Sequence, residues 1–216
     1  MVRVVRSLVE AHLWAKHAAY DLDMFFGPTA SFNPVRLIAG KKLRVSTACT
    51  GIDAPVLALR IIGVGVQSVA GELVEIENVH ACEVAAACQE ELLWSDQPPT
   101  CLFGNILDWL SDKQLSELKR VNDDEFEKIR DIIMSGALRA KAWCLAHGQE
   151  CRMEQSDVNV SGTPCIHFST FGTRSGMKGK ANKVYYTWAR QRTIFSESPS
   201  YNSLPTFPFP PPLAIL

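Results

Sequence analysis

The 216-residue chain lacks a charge imbalance: 22 lysines and arginines stand against 23 aspartates and glutamates, a formal net charge of −1. No global field attracts a polyanion, so any contact with nucleic acid must come from a local patch. Long apolar runs are missing too. No stretch reaches the roughly 20 residues that span a bilayer, so no membrane association is expected. Near the N-terminus Glu10, His12 and Lys16 interrupt the apolar residues, and no small-residue cleavage site follows, so no secretory signal is expected. Cysteine is present but not in a framework. The seven residues are an odd number and scattered, which points to free thiols in a reducing compartment. There is no internal repeat.

What is present is an ordinary apolar fraction of 47%, enough for a packed core, and an alternation of strand-like and helix-like segments. Residues 1–41 read as an amphipathic helix, with Val5, Leu8, Val9, Leu13 and Trp14 on one side, followed by a Gly/Pro-punctuated linker over 26–41. A first strand is expected at 43–48 and a helix from Pro55, ending at Gly63. A second strand at 72–81 leads into a helix over 84–94, and a third strand covers 100–103. The apolar spacing of Phe126, Ile129, Ile132, Ile133, Leu138 and Trp143 predicts one helix over about 123–147, starting in the acidic run Asp123-Asp124-Glu125-Glu127. A fourth strand is expected at 156–161 and a last helix at 183–192. Trp94, Trp109, Trp143 and Trp188 are expected in the core. Residues 42–195 form the main unit, and the proline-rich tail over 196–216 cannot join a helix or central strand. The alternation predicts an α/β fold with a parallel sheet and flanking helices.

In such sheets ligands bind beyond the carboxyl ends of the strands. Four strand ends carry residues of chemical interest. After the first, Gly51 permits a tight turn and close backbone approach, and the following helix N-terminus suits an anionic group. After the second, Glu83 can accept hydrogen bonds from ribose hydroxyls. The strict dinucleotide glycine pattern is absent, because Asp53 and Pro55 occupy the loop, which argues against a nicotinamide cofactor. After the third, Asn105 offers both a donor and an acceptor. After the fourth, Cys165 follows Pro164, where cations and helix N-termini lower a thiol pKa. Behind it, Arg174, Lys178, Lys180 and Lys183 lie among glycines, a composition that can follow a phosphate backbone.

Taken in order, Cys49-Thr50-Gly51-Ile52-Asp53-Ala54-Pro55, Glu83, Gly104-Asn105-Ile106, Pro164-Cys165-Ile166-His167-Phe168-Ser169 and Gly172-Thr173-Arg174-Ser175-Gly176 resemble the motifs of the cytosine-5 DNA methyltransferase family. The resemblance covers about 43–192, the N-terminal catalytic half of that family's domain, and implies an incomplete Rossmann-like S-adenosylmethionine-dependent methyltransferase fold. It further implies S-adenosylmethionine at Thr50, Gly51, Ile52, Asp53, Glu83, Val84, Asn105, Ile106 and Pro164. Cys165 would be the catalytic nucleophile, and Ser169, Arg174, Lys178 and Lys180 would meet DNA in the nucleus. RNA is the alternative substrate, since one branch of the family acts on transfer RNA, and a non-catalytic binding module is the other alternative.

Four departures stand out. Asp53 replaces a glycine of the cofactor loop, adding bulk and negative charge where the methionine carboxylate would lie. Asn105 replaces an aspartate, and Ile166 a glutamine. The family's Glu-Asn-Val motif does not follow the Pro-Cys motif. The chain spells Glu77-Asn78-Val79 before Glu83, a coincidence on this reading, and Glu197 is the only acid after the last helix. The recognition region and final pocket helix of the family are expected to be missing, or supplied by a second chain. Two loose metal-ligand groups, Cys144/His147/Cys151 and His80/Cys82/Cys88, lack a fourth partner at a recognisable spacing, so no metal is expected.

Overall fold

The structure, a computed structural model, describes residues 8–27, 33–162, 176–179 and 181–196. They form one six-stranded sheet: β1 (Lys42–Ala48), β2 (Glu75–Cys82), β3 (Cys101–Phe103), β4 (Lys141–Cys144), β5 (Gln149–Arg152) and β6 (Val158–Ser161). The order is β5-β4-β3-β2-β1-β6. β6, β1, β2 and β3 run parallel, while β4 and β5 are antiparallel additions beyond β3. This is the architecture of a Rossmann-like methyltransferase fold: a mostly parallel sheet with flanking helices.

Helices cover both faces. α3 (Ala54–Ala70) packs its Val66 with Val74, Leu43 and Ile76. α4 (Ala86–Trp94) sets Leu92 on Ala81 and Leu102 of the same face. On the opposite face Ala48, Cys82, Phe103 and Cys144 meet Trp109 and the α7 (Asn182–Ser196) residues Val184 and Trp188. α5 (Asp112–Leu118) and α6 (Phe126–Ser135) close a second cluster around Leu110, Ile129 and Ile133. No helix among the described residues is long and apolar enough to cross a membrane.

Several expectations are corrected. α1 (Leu8–Phe26) buries Ala15, Ala19 and Asp23, while Leu13 and Trp14 are exposed. The cause is a close helix crossing: a Cβ on Gly65 would sit 2.5 Å from the Ala15 carbonyl oxygen, so the small residues must face inward. Gly63 therefore does not stop α3. It and Gly65 are approach points, and the helix ends at Gly71, with φ +80°. The linker stretch contains a short helix, α2 (Pro34–Ile38), capped by Asn33. The single helix expected over 123–147 is α6 followed by β4 and the start of the β4–β5 turn. Gly136 ends the helix, and Lys141-Ala142-Trp143-Cys144 alternates exposed and buried with period two. α5, with its Ser111–Gln114 capping box, went unread in the sequence. Of the tryptophans expected in the core, Trp109 is buried and edge-on to Phe103, and Trp188 is half-buried, whereas Trp94 and Trp143 are exposed.

Candidate functional site

β1 delivers a run of fully buried residues and then a sharp loop. Cys49, Gly51 and Asp53 all take the left-handed conformation, at φ +56°, +64° and +66°. Only the glycine adopts it without cost; other residues lose roughly 1–2 kcal/mol. Strain of this kind persists only where surroundings over-determine it, and it clusters at functional sites. Here the surroundings are explicit. The Cys49 amide donates to the Cys82 carbonyl at 2.7 Å. Thr50 Oγ1 donates to Asp53 Oδ1 at 3.1 Å, and Asn78 Nδ2 to Asp53 Oδ2 at 2.5 Å.

The Asp53 carboxylate is thus turned down onto β2 and is 6% exposed. The bulk and charge expected to intrude on the loop point instead at Asn78. That residue sits where the β1–β2 register shifts, and its side chain, read in the sequence as part of a coincidental Glu-Asn-Val, ties the loop down. The positive φ at position 53 also explains why a glycine suits it.

Glu83 closes the site from β2. One carboxylate oxygen, Oε2, accepts the Gly51 amide at 3.0 Å; the other accepts Val84 and Ala85 amides, each at 2.9 Å. The side chain links the carboxyl ends of β1 and β2 and is 8% exposed. A carboxylate has about four acceptor positions, so three backbone donors leave one on Oε2. A Cβ on Gly51 would meet nothing nearer than Cys88 Sγ at 4.0 Å, so the glycine faces open space. Ile52 and Val84, the residues that follow Gly51 and Glu83, are apolar and 64% and 69% exposed.

Asn105 follows β3 and is exposed, its Oδ1 accepting the Leu107 amide at 3.0 Å to cap the 3-10 turn Ile106–Trp109. Ile106 is buried in the core, so only its backbone can serve a ligand. Gln89 Nε2, which the sequence reading did not single out, donates to the Glu83 carbonyl at 2.6 Å and braces the same corner.

β6 returns beside β1, on the side away from β2, which makes the β1/β6 boundary the topological switch point where such sheets hold ligands. Gly162 fits there because a Cβ would lie 2.4 Å from the Cys49 carbonyl oxygen; this close approach also went unread. Pro164, Cys165, Ser169, Arg174 and Lys180 lie outside the described residues. Lys178 is exposed in the 3-10 turn Gly176–Lys178. Two other thiols sit at this corner. Burial and the Glu83 charge push Cys49 up to about 11, and burial raises Cys82 further, which disfavours the reactive thiolate at both.

The chain is similar to a DNA (cytosine-5-)-methyltransferase, DMT5, of Cryptococcus neoformans var. grubii serotype A, with 35% identity over 183 residues. The similarity supports the cytosine-5 DNA methyltransferase family. It takes in 79% of this chain but only 6% of that protein, so the chain spans a small part of the curated relative's length. No family model matches the chain.

Proposed function

We propose that this chain carries the cofactor side of a nuclear DNA cytosine-5 methyltransferase, holding S-adenosylmethionine across the carboxyl ends of β1 and β2. The Gly51–Glu83 hydrogen bond carries the reading, because it builds a carboxylate and a glycine backbone into one corner beside the switch point. The residues present fit the group. Glu83 keeps one acceptor position for a ribose hydroxyl, and gripping both hydroxyls requires releasing one backbone amide. Asp53 is turned away, which leaves the Thr50–Asp53 backbone and the start of α3 to meet a carboxylate. Ile52 and Val84 offer apolar contact for the adenine, and the Asn105 amide a polar one. When bound, the cofactor supplies an electrophilic methyl group. Cys165, three residues beyond Gly162, would add to carbon 6 of a cytosine displaced from its stack, which makes carbon 5 nucleophilic. Ser169, Arg174, Lys178 and Lys180 would follow the DNA backbone.

Calorimetric titration with S-adenosylmethionine tests the pocket. Micromolar binding that disappears in Glu83→Ala, with the variant's melting curve checked for folding, is expected; absence of binding in the unaltered protein would sink the reading. Trapping on DNA containing 5-fluorocytosine tests the nucleophile, with an adduct expected from the unaltered chain and none from Cys165→Ser. The same trap on 5-fluorocytosine RNA separates the two substrates.

A further inference from the structure

Cys101, Cys144, His147 and Cys151 come together where the antiparallel hairpin meets the parallel sheet. Cys101 opens β3, Cys144 ends β4, and Cys151 lies on β5. His147 stands on the intervening turn, which closes through the Gly148 amide donating to the Cys144 carbonyl at 2.9 Å, with Gly148 at φ +60°. His147 Nδ1 lies 3.3 Å from Cys144 Sγ, 3.5 Å from Cys151 Sγ and 3.8 Å from Cys101 Sγ. All four ligand atoms are within 4.8 Å of one another.

These distances match the edges of a coordination tetrahedron. Metal–sulfur bonds of about 2.3 Å and a metal–nitrogen bond of about 2.0–2.1 Å place sulfur and nitrogen about 3.5 Å apart. Hydrogen bonding does not explain the arrangement, because neutral imidazole Nδ1 has one lone pair and three thiols converge on it. A cation at the centre satisfies all four groups at once. Three sulfurs and one imidazole in a tetrahedron select zinc, and four protein ligands leave no open position. The site is too compact for a multi-iron cluster. His80, Cys82 and Cys88 form no comparable group among the described residues.

We propose that Cys101, Cys144, His147 and Cys151 bind one structural zinc ion that fastens the β4–β5 hairpin to β3. The fold gives the ion a task. The hairpin meets β3 through a single ladder pair, Phe103 with Cys144, and β5 is largely exposed. β4 buries Ala142 and Cys144, but β5 outside it buries little of its own, and a two-stranded hairpin is marginal alone. Coordination links three strands and releases thiol protons on binding. The proposal is independent of the methyl-transfer reading.

The test is metal analysis of protein purified under reducing conditions without a metal-affinity tag, then cobalt substitution. About one zinc per chain is expected, with a cobalt–thiolate charge-transfer band after exchange and an X-ray absorption spectrum fitting three sulfurs and one nitrogen. His147→Ala alters an exposed turn residue and should fold; loss of the stoichiometric zinc in that variant supports the site. Zinc retained fully in His147→Ala overturns the proposal. So does a chain that takes up neither zinc nor cobalt, or a disulfide between any two of the three cysteines in mass spectra.

Discussion

The sheet has two unlike sides. On the parallel side, β6, β1, β2 and β3 lie edge to edge, and the loop after β1 carries left-handed residues pinned by hydrogen bonds to Glu83 and Asn78. On the antiparallel side, β4 and β5 pair well with each other but with β3 at one position only. The parallel side gains its stability from helices on both faces and can hold left-handed residues at its rim. β5 has little such cover, so what holds the outer strand must be local. Strain sits where the fold has stability to spare, and the ligand cluster sits where it does not.

The largest effect should come from the strand both sides share. Phe103 is buried in β3, edge-on to Trp109, and pairs with Cys144. Phe103→Ala should destabilise the protein by about 3–5 kcal/mol in denaturant unfolding. Amide protection should drop in β2 and β4 together. A drop confined to one side would mean that the two sides unfold separately.

Glu83→Ala should act on the parallel side alone. It strips an acceptor from the Gly51, Val84 and Ala85 amides, and a partly buried donor left unpaired costs about 1–3 kcal/mol. Exchange should quicken in 49–53 and 83–85 and stay unchanged in the hairpin. Equal quickening in β4 and β5 would break the comparison.

Asp53→Gly sets two terms against each other at the same rim. Glycine relieves a left-handed backbone, but aspartate is among the residues that tolerate it, so the gain falls below the roughly 1–2 kcal/mol of most residues. It also removes the carboxylate that accepts from Asn78 and Thr50, and hydrogen bonds to a charged group contribute about 1.5–3 kcal/mol. The loss should win by on the order of 1 kcal/mol, read as a lower denaturation midpoint. A stabilised variant would show that strain outweighs the pins.

The parallel side was the legible one. Its buried strands, the Gly51 turn and the Glu83 strand end are short-range signals, and the turn and the strand end stand where the sequence places them, while β2 and β6 begin two to three residues later than expected. What escaped was long-range. Asn78 holding Asp53, Gly65 against Ala15 and Gly162 against Cys49 depend on packing between distant segments. The hairpin escaped because the apolar spacing of α6 runs on through Leu138 and Trp143, and the four-residue alternation of β4 is too short to override it. Cys101 lies 43 residues before Cys144 (144 − 101 = 43), so no local spacing announces it as their fourth partner.

Acid should separate the two sides most finely. Behind the parallel side, Asp23 takes two hydrogen bonds from the Arg36 guanidinium, at 2.8 and 2.9 Å, and one from Asn33 at 2.8 Å, fastening α1 to α2. The Arg36 bond, then Asn33, hold its carboxyl below the usual range against the opposing effect of burial. A carboxyl lowered on folding contributes stability that is present above its unfolded value, near about 4, and is lost as pH falls through the folded one. The α1–α2 amides should therefore lose protection below about pH 4 in the unaltered protein. In Asp23→Asn they should be less protected at neutral pH and lose less on acidification. Other carboxyls titrate in both proteins and cancel in that difference. The hairpin lies across the sheet and should show no difference between the two proteins; if it does, acid is acting through global unfolding and not through this clamp.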